Sequence, residues 1–116
     1  MKIIRGRKSG LDCVVELDNE SYHTKLSLEK SLEIAKHSPD GFQWGYSGSG
    51  PAQLAAAILY EITDDVELSR SYYELFKHDH VSQWEDTFEI SEFEVRIWLS
   101  LVGAEIELPS PSLLSE

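Results

Sequence analysis

One cysteine, Cys13, stands in a chain of 116 residues. No disulfide can form within the chain, and no metal site built on several thiolates is available. No apolar run approaches the roughly 20 residues that a membrane span needs. Met1–Lys8 carries charge without an apolar stretch of signal-peptide length, so no membrane insertion is expected and a reducing cytoplasm is the expected setting. Basic residues are also few, 10 against 21 acidic ones, for a net charge of −11. Four of those ten fall within the first eight residues, which hold no acid. The other 108 residues carry 6 basic and 21 acidic groups, a net −15. Nucleic-acid affinity comes mainly from Lys and Arg neutralising phosphates, so direct binding to DNA or RNA is not expected. An acidic body keeps a small protein soluble and speeds its encounter with basic protein surfaces.

What is present suits one folded domain. Apolar residues make up 41% of the chain and aromatics 10%, enough for a packed core at this length. Residues 2–7 and 12–17 are β-rich runs separated by Ser9-Gly10. After the turn residues Asp18-Asn19-Glu20, residues 21–26 run back as a third strand, giving an N-terminal antiparallel meander. Ser27 is a candidate cap for a short helix with Leu28, Leu32 and Ala35 on one side, in a run too short to decide between helix and turn. Phe42–Tyr46 alternates large aromatics with small or polar residues, which predicts a strand with Phe42, Trp44 and Tyr46 on one face.

Pro51 suits the first turn of a helix running to about Ile62, with Leu54, Ile58, Leu59 and Ile62 as its apolar stripe. Asp64 and Glu67 have capping-box spacing and open a second helix through about His80, striped by Leu68, Tyr72, Leu75 and Phe76. Residues 84–90 read as a short extended segment. Ser91-Glu92-Phe93-Glu94 is a capping box for a last helix that ends at Gly103 and buries Phe93, Ile97, Trp98 and Leu101. The fold class is α+β, a small N-terminal antiparallel meander packed with about three α-helices. One domain covers residues 1–103, and the acidic, Pro- and Ser-containing residues 104–116 are expected to be a flexible tail.

The most distinctive segment is FQWGYSGSGPAQLA, residues 42–55. A glycine-rich turn feeding a helix N-terminus can hold an anion through free backbone N–H groups. Gly45 and Gly50 match the first half of a phosphate-binding loop, but Pro51-Ala52 stands where Lys and Ser or Thr belong. The dinucleotide pattern fails at Gln53, where a third glycine is needed. Gly45-Tyr46-Ser47-Gly48-Ser49 lacks the closing glycine of a nucleophile elbow. The alternative is a tight turn whose glycines let neighbouring elements pack closely. His78 and His80 lie two apart, pointing roughly 200° from each other on a helix, so they do not ligate one ion together. Cys13 reads as a small core residue, and Asp64-Asp65 and Glu85-Asp86 read as cap and solvated charge. No catalytic constellation, metal site or cofactor is expected.

At this segment the chain resembles the domain of unknown function 6166 family, marked by an FxWGYxGSGPAQLA-like stretch. The resemblance runs over roughly residues 2–100: the His37–Gly41 turn, Phe42–Ala55, the Phe76-Lys77 pair and the capped stretch Ile90–Leu99. It implies an origin in bacteria, archaea or their viruses, and no assigned activity. Ser47 in the loop and the acidic C-terminal third depart from the pattern. The leading expectation is a small acidic non-enzymatic interaction protein, an accessory or counter-defence factor of a virus or mobile element. Its partner is expected to be a basic, nucleic-acid-handling host protein in the host cytoplasm. The binding residues expected are Trp44, Tyr46, Ser47, Gly48, Ser49, Gly50 and Gln53, because aromatics beside a glycine loop are interface anchors. The alternative is a small-ligand module holding an anion or nucleotide at the same turn.

Overall fold

Alternation of apolar and polar residues lets the N-terminal strands bury one face and leave the other to solvent. A computed structural model describes residues 1–10 and 12–108. Ile3–Ser9 (β1), Asp12–Asn19 (β2) and Tyr22–Lys25 (β3) form the expected antiparallel meander. A fourth strand, Thr87–Ser91 (β4), pairs antiparallel with the free side of β1, giving the order β3-β2-β1-β4. Ile4, Val15, Leu17, Phe88 and Ile90 face the core, while Arg5, Arg7, Glu16, Asp18 and Glu89 line the opposite face. The α+β class stands, with four strands in the sheet.

Four helices pack on the apolar face. Ser27 caps the one-turn helix Leu28–Ser31 (α1) by accepting from the Lys30 N–H at 3.0 Å. Its buried residues are Ser31 and, in the turn that follows, Ile34, rather than Leu28, Leu32 and Ala35. Ser49–Thr63 (α2) is the central helix, with every residue from Gly50 to Leu59 buried. A helix apolar on all sides must be surrounded, and alanines at 52 and 55–57 let its neighbours approach closely.

Val66–Asp79 (α3) starts one residue later than its expected cap. Asp65 accepts from the Leu68 N–H at 3.0 Å, while Asp64 ends α2 in the left-handed conformation. Its core contact is Phe76, with Leu68, Tyr72 and Tyr73 partly buried. Leu75 is exposed, because it lies off the arc that meets α2. Glu92–Leu101 (α4) has the full capping box of Ser91 and Glu94. It buries Val95, Trp98 and Leu99, whereas Leu101 is 79% exposed.

The expected strand over Phe42–Tyr46 is not formed. A strand needs a neighbouring backbone to pair with, and here the partners come from a loop. The Gly45 N–H donates to the Val81 carbonyl (3.0 Å) at the 3₁₀ turn Val81–Gln83, and Trp44 Nε1 donates to the Glu85 carbonyl (2.6 Å). Gly45 takes a φ of +88°, which bends the segment and sends the three aromatics to different places. Residues 104–108 have no regular structure, yet Ala104 and Ile106 pack against the core and the Glu107 carbonyl accepts from Arg96. The remainder of the expected tail, 109–116, lies outside the described residues.

Candidate functional site

The Phe42–Gly50 segment is anchored at both ends by buried groups. Trp44 is fully buried, meeting Phe88 edge-on at 5.0 Å. Lys8 Nζ donates to the Trp44 carbonyl at 2.8 Å and lies 5.2 Å from the centre of its ring. At the far end Gly50 is buried, and a Cβ there would sit 2.5 Å from Gln43 Cβ. Between these anchors the chain is open to solvent. Tyr46 is 49% exposed, Ser47 and Ser49 are exposed and Gly48 is half-buried beneath the Tyr46 ring.

Gln53 belongs to the interior. Its Oε1 accepts from the His37 and Ser38 amides at 2.8 and 3.0 Å, and its Nε2 donates to Ser31 Oγ and the Ala35 carbonyl at 2.8 and 2.9 Å. All four hydrogen-bonding positions of the amide are used, so this side chain ties the turn after α1 to the central helix. Of the seven expected binding residues, the structure presents Tyr46, Ser47, Gly48 and Ser49 at the surface. Trp44, Gly50 and Gln53 lie beneath them and cannot touch a partner in this conformation.

The N-terminus of α2 offers little to an anion. Gly48 is the N-cap, with no side-chain cap bond and an extended φ of −176°. Ser49 is therefore the first helical residue. Pro51 has no N–H, the Ala52 N–H already donates to the Gly48 carbonyl at 3.1 Å, and Gly50 is buried. The Ser49 amide remains as the accessible donor, where phosphate loops converge several.

What stands beside the loop is acidic. The Trp84–Thr87 segment forms one wall of an open cavity of about 570 Å³, with Lys8 and Gly45 on the other. A Cβ on Gly45 would lie 2.8 Å from the Trp84 carbonyl, so the two segments are in direct contact there. Glu85 and Asp86 are exposed and form no ion pair among the described residues. By sequence alone this pair reads as solvated charge. Nothing in the chain order brings residues 84–86 to residue 45.

The basic N-terminus forms no positive patch. Arg5 pairs with Asp18 and with Glu89 (2.6 Å), Arg7 with Glu16 (2.8 Å), and Lys2 with Glu61 (2.9 Å). His78 is exposed at the end of α3, whereas His80 is half-buried, its ring 5.1 and 5.9 Å from those of Phe76 and Trp98. Burial lowers the pKa of His80. Cys13 is half-buried against the core. Among the described residues no three His, Cys, Asp or Glu side chains are placed to hold a metal, and no helix is long and apolar enough to cross a membrane.

Comparison with known proteins adds one finding. No curated protein and no solved structure matches the chain. A family model does, over residues 5–101, which include the anchored loop, its acidic neighbour and the sheet apart from the first two residues of β1: the chain belongs to DUF6166, a family of unknown function.

Proposed function

We propose that this protein is a small non-enzymatic interaction protein that binds a basic protein surface through Tyr46–Ser49 and the adjoining Glu85–Asp86. The observation that carries this reading is Tyr46, an aromatic side chain 49% exposed on a loop fixed at both ends in the core. A large side chain held on rigid backbone loses little freedom on binding, and Tyr is among the residues that carry interface energy. Glu85 and Asp86, in no ion pair among the described residues, add negative charge at the cavity they share with Lys8 and with Gly45, the residue before this anchor. The net charge of −11 steers a basic partner toward the molecule from a distance. Proteins that handle nucleic acids present such basic surfaces. A host protein of that kind, met by an accessory or counter-defence factor of a virus or mobile element, is the finer form of the proposal.

The test is affinity capture from host lysate at about 0.05 M and about 0.5 M salt, which differ several-fold in screening length. Wild type is expected to retain a basic protein at low salt and lose it at high salt. Tyr46→Ala and the pair Glu85→Lys, Asp86→Lys are each expected to abolish retention with the thermal melt unchanged. Retention that survives both variants sinks the proposal, and so does absence of any retained basic protein at low salt.

A further inference from the structure

The edge of the sheet at β3 is thinly held. The strand is four residues long, all four are exposed, and among the described residues β2 is its only sheet neighbour. The Leu26 N–H donates to the Val15 carbonyl at 3.0 Å, which sets the phase of the β2–β3 ladder. By the antiparallel alternation, the Tyr22 and Thr24 amides turn toward β2. His23 and Asp18 then form a non-hydrogen-bonded pair, the kind whose side chains come closest.

His23 uses that proximity twice. Its Nδ1 lies 2.6 Å from Asp18 Oδ1 and its Nε2 lies 2.9 Å from Glu16 Oε2. A carboxylate only accepts, so both contacts are hydrogen bonds only when both ring nitrogens carry protons. A neutral ring keeps one N–H and turns a lone pair toward the other carboxylate. That geometry is repulsive whichever tautomer forms.

We propose that His23 is a proton-controlled latch: as an imidazolium it clasps Glu16 and Asp18 and holds β3 on β2, and on giving its proton to solvent it releases β3 and leaves the edge of β2 unpaired. The carboxylates do not follow the proton. Arg7 holds Glu16 from β1, and Arg5 holds Asp18 while reaching Glu89 on β4. Lys25 stands opposite Glu16 in the register, and Glu20 at the turn pairs with the N-terminal ammonium at 3.2 Å. The hydrogen bonds to Asp18 and then Glu16 raise the pKa of His23 above its ordinary value of 6.5. A raised histidine contributes stability that is complete below its unfolded value and is lost as pH rises through the folded one. The latch is closed in acid and opens toward alkaline pH.

Nuclear magnetic resonance of the full chain between about pH 5.5 and 9 tests this, since that window spans the histidine range. Two quantities are read: the titration of the His23 ring, and the exchange rate of the Thr24 amide corrected for its chemical rate. The His23 midpoint is expected above 6.5, with Thr24 protection falling across it. The Ile4 amide, inside the sheet, is expected to stay constant. His23→Gln is expected to remove the step, and Asp18→Asn, which keeps the ring, to move the midpoint down. A midpoint at or below 6.5 overturns the proposal. So does Thr24 protection that is flat across the midpoint, or a step that persists in His23→Gln.

Discussion

At the scale of single residues, two glycines of one loop differ in what an added methyl would meet. At Gly48 a Cβ would lie 2.7 Å from the Tyr46 ring, an exposed side chain free to swing into solvent. At Gly50 it would lie 2.5 Å from Gln43 Cβ and 3.2 Å from the Gln43 backbone nitrogen, inside the core. Neither takes a positive φ, so close approach and not backbone strain decides both. Gly50→Ala is expected to cost about 1–3 kcal/mol, as overpacking does, and Gly48→Ala well under half of that. Urea unfolding of the two variants measures the difference, and equal costs would contradict the packing seen here. The same local view explains why Trp44 and Gln53 could not be ranked from sequence. A glycine loop flanked by an aromatic and an amide reads alike whether the side chains point inward or outward. Only the carbonyl of Glu85 for Trp44, and the amides of His37 and Ser38 for Gln53, decide it.

At the scale of elements, the signals that survived from sequence to structure are the local ones. Ser91 and Glu94 are three residues apart and close their box within one turn of α4. The Ser91 side chain accepts from the Glu94 N–H at 3.1 Å, and Glu94 Oε1 accepts from the Ser91 N–H at 3.3 Å. Ser91→Ala is expected to lower stability by about 1 kcal/mol in a thermal melt, while Glu94→Gln, which keeps an acceptor, costs less. What slipped is the rotation of each helix. Leu75 and Leu101 match the period of their helices but sit outside the arcs that meet α2, and Val95 and Leu99 took the inward places on α4. A period of 3.6 fixes which residues share a face, and the neighbours decide how wide a face is covered.

At the scale of the whole molecule, charge governs behaviour with pH. Hydrogen bonds from His23 and Arg7 hold Glu16 below its ordinary value. His23 and Arg5 do the same for Asp18, and His78 and the Trp98 indole N–H for Asp79. Burial pushes Glu92 up, but Arg96 and the Lys2 amide outweigh it and leave that carboxyl lowered. A lowered carboxyl contributes stability that is present above its unfolded value and lost as pH falls through the folded one. The ordinary values are 3.8 for Asp and 4.5 for Glu, so the melting temperature is expected to fall steeply once pH drops below them. Glu92→Gln keeps the shape and removes one of these groups, and its loss of melting temperature with acid is expected to be shallower. An acid profile identical to wild type would show that the Glu92–Arg96 contact, 2.9 Å long, carries none of the dependence.

The sequence by itself determined the meander, the start of α4, the place of Pro51 in the first turn of α2, and the α+β class. Each of these rests on contacts between residues close in the chain or on strict strand alternation, and both are written in local order. Tertiary structure alone decided the fourth strand, the loop in place of a strand at Phe42–Tyr46, and the meeting of Gly45 with Trp84. It also placed β1 between its two partners, so that the four basic residues of the N-terminus are absorbed within the fold: three by carboxylates, and Lys8 by the Trp44 carbonyl. Those outcomes depend on which distant backbone stands within hydrogen-bonding reach, and no periodicity in a single chain encodes that distance.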